Sequence, residues 1–300
     1  MPFVRYLDPG FVESLNKLHR DEDSWWHKLA NDGKVFLAVR HNAINAYVNG
    51  GSVGRVGWDG NAIALWVNHA YLVFPARAPK DRYVDLLNPV NPPTPITVTN
   101  ADDFTNRLRP IKEIVGTYFG KERQGENEIA AGLSAVIDIE AAFNTSLESS
   151  EAEFENDNLR QGRIDLVTVA GDGRIVFTEA KLFKNRELTS SRVPAVCDQL
   201  ILYHQWIKNH AGEIEKAYCN LLGCHRDLEG AFFRRRVGQV NRVDPIPRLL
   251  VFGYDGHQEK AARAIKKFVC EGLAGAIPRF GTDHVRTVGS AKRVKAHHLV

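Results

Sequence analysis

One hairpin constrains the fold of this chain more than any other feature. Residues 163–170 and 174–182 are two runs rich in β-branched and aliphatic residues, and Gly171-Asp172-Gly173 separates them. Such a pattern predicts two antiparallel strands joined by a tight turn. Both faces of the predicted strands are apolar over most of their length, as is expected of strands covered on both sides. The hairpin therefore belongs in the interior of a sheet.

Three charged residues interrupt one face of this hairpin. If the loop has three residues, Asp165 lies directly opposite Glu179, with their β-carbons about 5 Å apart, whereas a two-residue loop makes them diagonal neighbours. Lys181 shares the face of Glu179, because side chains alternate along a strand. Opposed carboxylates on an apolar face repel each other unless a cation lies between them. The pattern therefore indicates a site for a divalent metal ion.

These residues resemble the active-site motif of the PD-(D/E)XK nuclease superfamily, which has the restriction-endonuclease-like fold. The match is Asp165 followed by Glu179-Ala180-Lys181. Gln199 and Tyr203 lie one turn apart on a predicted helix and resemble the Q-x-x-x-Y motif of the RecB-type branch. The resemblance spans roughly residues 101–255.

What the resemblance implies is a nuclease, either an endonuclease or an exonuclease, that hydrolyses phosphodiester bonds with Mg²⁺ or Mn²⁺. Asp165, Glu179 and the carbonyl of Ala180 would be metal ligands, since hard oxygen donors suit these ions. Lys181 would orient the attacking water or stabilise the charge of the transition state. The products would carry 5′-phosphate and 3′-hydroxyl ends.

The resemblance also implies a third acidic residue and contacts to the nucleic acid. The family expects a glutamate on the helix before the first strand, and Glu128 fits this place as a catalytic residue and metal ligand, directly or through water, with Glu126 as the second choice. Gln199 and Tyr203 would contact the active site and the nucleic-acid strand. The iron–sulfur members of the branch have a cysteine before the acidic residues, but no cysteine precedes Cys197 here, so no cluster is expected.

Positive charge is concentrated in two places, although the formal net charge of the chain is only +3: Arg234-Arg235-Arg236 with Arg242 and Arg248, and the tail run Lys292, Arg293 and Lys295. Arg234, Arg235 and Arg236 are predicted to contact the phosphates of nucleic acid, although such runs are also common on ordinary solvated surfaces. DNA is favoured over RNA as the partner. Cutting both strands of a duplex often requires two such domains. The sequence therefore leaves open whether the protein forms a homodimer.

Two domains are predicted on either side of a proline-rich linker at residues 88–97. Residues 1–90 are predicted to form a small α+β domain, with one helix over residues 9–31 and an antiparallel meander over residues 34–74. Residues 98–300 are predicted to form the nuclease-like domain, an α/β fold with a mixed central sheet flanked by helices. Its predicted helices cover 101–119, 126–143, 193–210 and 257–273, and its predicted strands cover 146–156, 163–170, 174–182, 216–222 and 248–254.

The sequence also bears on location and on other classes of function. No apolar run approaches the roughly 20 residues that span a bilayer, and the first ten residues do not resemble a signal peptide, so a cytoplasmic protein without a membrane partner is expected. Two alternatives to a nuclease stay open. One is a nucleic-acid-binding module that keeps the fold without cutting, and the other is a component of a protein scaffold.

Overall fold

The computed structural model of the chain describes residues 3–68, 83–85, 101–142, 162–189 and 193–300. Its contacts divide the chain into two compact units. The first, here called the meander unit, contains residues 5–132 and 220–237, and the second, the mixed-sheet unit, contains residues 1–4, 133–219 and 238–300. Among the described residues, no helix combines the length and the apolar character needed to cross a membrane.

The meander unit contains a five-stranded antiparallel sheet whose strands follow one another in chain order. This arrangement confirms the predicted meander as far as residue 68, while residues 69–74 lie outside the described part of the chain. The strands are β1 (Phe36–Arg40), β2 (Ala43–Val48), β3 (Gly51–Trp58), β4 (Ile63–Asn68) and β5 (Tyr83–Asp85).

Two helices precede this sheet, α1 (Pro9–His19) and α2 (Trp25–Ala30), where the sequence predicted one. The predicted helix is interrupted because Ser24 caps the start of α2, its side chain accepting a hydrogen bond from the amide of His27 at 3.1 Å. Both helices place aromatic residues in the core, where Phe11 stacks on Trp58 with ring centroids 5.7 Å apart.

Three further helices complete this unit before its last segment: α3 (Ala101–Asn106), α4 (Leu108–Tyr118) and α5 (Lys121–Gly132). The side-chain amide of Asn49 donates to the carbonyl of Lys112 at 2.6 Å, which joins α4 to the turn between β2 and β3. A β-carbon on Gly51 would lie 2.2 Å from the ring of Phe119, so this segment packs closely on the sheet. Residues 101–132 therefore group with the meander, although the predicted division placed them in the domain of residues 98–300. The proline-rich linker lies outside the described residues.

The mixed-sheet unit is built on a sheet with the order β11-β10-β8-β7-β6, in which β9 also pairs with the start of β8. The pairs β6–β7 and β7–β8 are antiparallel, whereas β8–β10 and β10–β11 are parallel. A mixed α/β architecture with flanking helices is thus confirmed. The strands are β6 (Val136–Ala142), β7 (Arg163–Val169), β8 (Arg174–Leu182), β9 (Arg242–Val243), β10 (Arg248–Phe252) and β11 (Val285–Val288).

The helices of the remaining chain are α6 (Ala195–Asp227), α7 (Ala231–Arg234) and α8 (Glu259–Leu273). Helix α6 packs on the sheet of the mixed-sheet unit, where the ring of Tyr218 meets the ring of Phe177 on β8 with centroids 6.1 Å apart. Helix α8 contacts the edge strand β11. The two long helices thus cover strands that are buried along most of their length.

Two predictions of secondary structure in this region are wrong. The predicted helix over 126–143 ends at Gly132, and residues 136–142 form β6, because the run Val136-Ile137-Asp138-Ile139 favours extended backbone. The predicted strand over 216–222 is instead part of α6, since its buried residues Ala217, Tyr218, Leu221 and Leu222 follow helical spacing. The predicted strand over 146–156 lies outside the described residues.

Candidate functional site

The register of the β7–β8 hairpin is the one that a three-residue loop predicts. The amide of Ala170 donates to the carbonyl of Arg174 at 2.9 Å, and Val167 pairs with Phe177. Continuing this register toward the open end of the hairpin puts Asp165 opposite Glu179. Gly173 has a φ of +77°, in the left-handed region that favours glycine, and this allows the short loop. The three-residue loop is thus the observed one, and the paired register ends one position before Asp165 and Glu179.

The carboxylate of Asp165 is fixed by the neighbouring strand. Its Oδ2 accepts a hydrogen bond from the backbone amide of Ala180 at 2.7 Å. Because the paired part of β7 and β8 ends at Leu166 and Thr178, this amide lies beyond the last paired positions of that ladder. Asp165 is half-buried, so its carboxylate stands at the boundary between the sheet interior and solvent.

Glu179 and Lys181 lie deeper in the same unit, and both are buried. The ammonium Nζ of Lys181 lies 2.7 Å from Oε1 of Glu179 and also 2.7 Å from Oε2 of Glu187. On the other side of β8, the parallel strand β10 places Leu249 beside Glu179 and Val251 beside Lys181. The ion pair is therefore buried with apolar residues on its β10 side, where electrostatic interactions are stronger than in water.

Burial and neighbouring charges shift the pKa values of Glu179 and Lys181 in opposite directions. Burial raises the pKa of the Glu179 carboxyl above its ordinary value, and the neighbouring Lys181 ammonium only partly opposes this. Burial by itself lowers the pKa of Lys181, but the carboxylates of Glu179 and Asp165 outweigh it, so that this pKa is raised. Lys181 therefore stays charged, whereas Glu179 takes up a proton at a higher pH than an ordinary glutamate.

The two residues of the Q-x-x-x-Y motif lie on the first half of α6. Tyr203 is buried, and its hydroxyl donates to the backbone carbonyl of Arg163 at 2.7 Å, so this residue supports β7. Burial, and after it the charges of Glu179 and Asp165, raise the pKa of the Tyr203 hydroxyl, which stays protonated. Gln199 is half-buried, and its Oε1 is buried without a hydrogen-bond partner among the described residues.

A divalent cation fits the donor atoms of this site. Oε2 of Glu179 is buried and has no hydrogen-bond partner among the described residues. The hydroxyl of Tyr203, which donates to the carbonyl of Arg163, and the carboxylate of Asp165 also lie close to the Glu179 carboxyl. A buried carboxylate oxygen without a partner is costly until a proton or a cation satisfies it.

The number of donors also bears on the kind of metal site. In the described part of the chain, no three His, Cys, Asp or Glu side chains lie close enough to hold one ion. Mg²⁺ is commonly held by one or two carboxylates and otherwise by water. Asp165, Glu179 and the carbonyl of Ala180, which follows Glu179 in sequence, offer such an ion two carboxylates and one carbonyl.

The predicted third acidic residue belongs to the other compact unit. Glu128 lies on α5 and is exposed, whereas Glu126, the second choice, is buried on the same helix. Both residues fall within the meander unit, while Asp165, Glu179 and Lys181 fall within the mixed-sheet unit.

Glu140 on β6 is a third carboxylate in the mixed-sheet unit itself. Glu140 falls opposite Asp165, between the pairs Ile139–Leu166 and Ala141–Ile164, and continuing the β7–β8 register by one position adds Glu179 to the same row. Glu140 forms an ion pair with Arg163 at 3.9 Å. Its φ of +50° is unusual for a residue other than glycine and marks a strained backbone position of the kind found at functional sites.

Asp138, two positions earlier on β6, has a structural role. It is fully buried, its Oδ1 accepts from the amide of Ile139 at 2.8 Å, and its Oδ2 accepts from the hydroxyl of Tyr218 at 3.1 Å. Both oxygens are thus engaged within the protein, as buried polar groups generally are.

The three consecutive arginines are not equivalent in the structure. Arg234 and Arg235 are exposed, whereas Arg236 is buried. The guanidinium of Arg236 donates to the carbonyls of Ala130 and Phe232 at 2.9 and 3.2 Å, and burial lowers its pKa to about 9. Ala130 lies in the last turn of α5, where backbone carbonyls have no partner within the helix and a nearby cation stabilises them. Arg236 is therefore not part of an exposed surface with the other two.

Sequence reasoning missed both Glu140 and Glu187. Glu140 was assigned to a helix, although the β-branched run from Val136 was a signal for a strand on which Glu140 would face Asp165. Glu187 lies in the short 3-10 helix Arg186–Leu188 after β8, where no motif or periodicity points to Lys181.

Comparisons of the chain with protein-family models, with curated proteins and with solved structures give no match.

Proposed function

We propose that the mixed-sheet unit is a metal-dependent nuclease that hydrolyses phosphodiester bonds of nucleic acid, with DNA as the favoured substrate. The observation that supports this most directly is the hairpin register, which, continued by one position, sets Asp165 opposite Glu179, whose carboxylate pairs with Lys181. The same residues carry the resemblance to PD-(D/E)XK nucleases of the RecB-type branch. The finer assignment to the restriction-endonuclease-like fold is part of this proposal.

The cofactor in this proposal is Mg²⁺ or Mn²⁺, held by Asp165, Glu179 and the carbonyl of Ala180. When bound, the ion would supply a water of lowered pKa and would offset charge on the phosphate. The amide of Ala180 keeps the Asp165 carboxylate in place, since it donates to Oδ2. Lys181, which stays protonated, supplies a fixed positive charge beside the reacting phosphate.

In the same proposal Glu140 takes the role that the sequence assigned to Glu128. It belongs to the same unit as Asp165 and lies opposite it across β6 and β7. Because no three acidic side chains of the described residues lie close enough to share an ion directly, we assign Glu140 to a metal-bound water and not to the ion itself. Carboxylates in such outer positions orient ligands and water, and their loss typically costs 10- to 100-fold in activity or affinity.

The experiment that tests the function is incubation of the purified chain with supercoiled plasmid and with linear DNA in Mg²⁺, in Mn²⁺ and in excess chelator. We expect metal-dependent cleavage that Asp165→Asn and Glu179→Gln abolish. Glu259→Gln, which removes an exposed carboxylate of α8, is the matched control and should cut like the parent. Cutting of the circular substrate identifies an endonuclease, and cutting of linear DNA alone identifies an exonuclease.

A nucleic-acid-binding module that does not cut is the competing function. One observation favours it: the ammonium of Lys181 already neutralises Glu179 at 2.7 Å without any metal ion. In that case DNA would be bound with the same affinity in metal and in chelator, and neither DNA substrate would be cleaved. Exposed Arg234 and Arg235 remain candidates for phosphate contacts under either function.

A further inference from the structure

Lys181 has two close carboxylate partners, and only one of them belongs to the predicted motif. Its Nζ lies 2.7 Å from Glu179 and 2.7 Å from Glu187. The side chain of Lys181 is 9% exposed, whereas that of Glu187 is 40% exposed. The ammonium is thus held between a buried carboxylate on its own strand and a carboxylate that reaches it from the site's rim.

The backbone after β8 fixes the position of Glu187. The amide of Asn185 donates to the carbonyl of Leu182 at 2.7 Å, which closes a tight turn at the end of the strand. The side chain of Asn185 then accepts from the amide of Glu187 at 2.9 Å and so caps the 3-10 helix Arg186–Leu188. Leu188 is fully buried and anchors the helix in the core.

A metal ion and Lys181 would share one carboxylate, the ion at Oε2 and the ammonium at Oε1, so that each would weaken the attraction of Glu179 for the other. Glu179 is a proposed ligand, yet its Oε1 is the partner of the Lys181 ammonium. Asp165, which also favours the charged form of Lys181, is the other proposed ligand. A buried ammonium that loses its carboxylates to a metal ion would be left uncompensated, at a large cost in free energy. Glu187 is the close partner of Lys181 that takes no part in the proposed ligand set.

We propose that Glu187 is a positioning residue, which retains Lys181 in the site when Glu179 and Asp165 bind the metal ion. This inference rests on the proposed function. It predicts that Glu187 strengthens metal binding without contacting the metal, because it allows Lys181 to give up part of its interaction with Glu179. It also predicts that the effect of Glu187 disappears when Lys181 is absent.

The test is a titration of the full chain with Mn²⁺, followed by the electron paramagnetic resonance signal of the free ion. Glu187→Gln keeps the size of the side chain and removes its charge, so we expect Mn²⁺ affinity about tenfold weaker than in the parent, as follows from loss of one charged contact. Glu187→Asp keeps the charge on a shorter side chain and should give an intermediate affinity. Glu259→Gln, whose carboxylate pairs with Arg263 on exposed α8, is the matched control and should bind like the parent.

A second comparison separates action through Lys181 from a general electrostatic or structural effect. In the Lys181→Met background, Glu187→Gln should leave Mn²⁺ affinity unchanged, because the residue through which Glu187 acts is missing. Equal weakening in both backgrounds, or no weakening in either, would overturn the inference and leave the proposed function standing. Absence of Mn²⁺ binding by the parent would overturn both. Thermal melting without metal establishes that each variant is folded, and if Glu187→Gln does not fold, parent-like Mn²⁺ affinity of Glu187→Asp overturns the inference.

Discussion

The carboxylate of Asp165 accepts a hydrogen bond from the backbone amide of Ala180 at 2.7 Å, so the acidic residue of one strand is tied to the strand that carries Glu179 and Lys181. This bond continues the contact between β7 and β8 beyond their last paired positions. It also fixes the orientation of the Asp165 carboxylate relative to β8.

The bond between Asp165 and Ala180 separates the structural from the chemical role of the carboxylate. Asp165→Asn keeps a carbonyl oxygen for the amide of Ala180, whereas Asp165→Leu removes the acceptor. We expect both variants to lose more nuclease activity than the 10- to 100-fold that is typical of a residue that only orients a metal ligand, because each removes a charged ligand. Only Asp165→Leu should also lose stability, by about 1–2 kcal/mol, because it leaves a polar group unsatisfied. Urea unfolding in chelator measures the second effect, and equal stability of the two variants would contradict this account.

The raised pKa of Glu179 predicts how stability depends on pH in the absence of metal. A carboxyl whose pKa is raised on folding binds a proton more tightly in the folded state, so its contribution favours folding at low pH. That contribution is lost as pH rises from the ordinary glutamate range through the folded-state pKa. Glu179→Gln has no such group, so the stability of the parent relative to this variant should fall over that window. Urea unfolding of both proteins across pH, in chelator, checks the sign; a relative stability that rises over the window would mean that the pKa is lowered.

Glu140 and Glu128 offer a direct comparison between the structural and the sequence assignment of the third acidic residue. We expect Glu140→Gln to reduce metal-dependent cleavage by about 10- to 100-fold, as loss of an outer carboxylate does. Glu128→Gln removes an exposed carboxylate from a helix of the meander unit and should cleave like the parent. Turnover at saturating Mn²⁺ distinguishes the two assignments. If Glu128→Gln reduces cleavage and Glu140→Gln cleaves like the parent, the third acidic residue is Glu128 on α5.

The arginine run should divide into two functional classes. Arg236→Ala removes a buried guanidinium from the carbonyls of Ala130 and Phe232 and should cost about 3 kcal/mol of stability. Arg234→Glu and Arg235→Glu change exposed residues and should leave stability nearly unchanged, while they weaken DNA binding and flatten its dependence on salt. Melting and salt-dependent DNA binding measure the two effects. If DNA affinity and salt slope stay those of the parent, these arginines are ordinary surface.

The sequence was sufficient to predict the structure where turn chemistry and the hydrophobic pattern agree. The Gly171-Asp172-Gly173 loop and the alternation of its flanking strands predict the hairpin, and of the two loop lengths left open the three-residue loop is the one observed. Tyr203 lies on a helix that the apolar spacing predicts, and its hydroxyl reaches the carbonyl of Arg163 on β7.

Sequence reasoning failed where long-range packing decides. The segment from Val136 is short and apolar, and its pairing with β7, on which the placement of Glu140 depends, cannot be read from periodicity alone. Arg236 looks like surface because charged residues usually are, yet carbonyls at the end of α5 bind its guanidinium. Glu187 reaches Lys181 through a turn and a 3-10 helix, whose geometry no motif in the sequence encodes.

The central claim is that Asp165 and Glu179 together hold a divalent ion, and thermal melting with and without Mn²⁺ tests it most directly. A ligand at about 100 times its dissociation constant stabilises the folded state by about 2.7 kcal/mol, which for a protein of this size is a shift of several degrees. We expect this rise in melting temperature for the parent and for Lys181→Met, and little or no rise for Asp165→Asn and Glu179→Gln. An equal rise in all four proteins, or none in the parent, would contradict the claim.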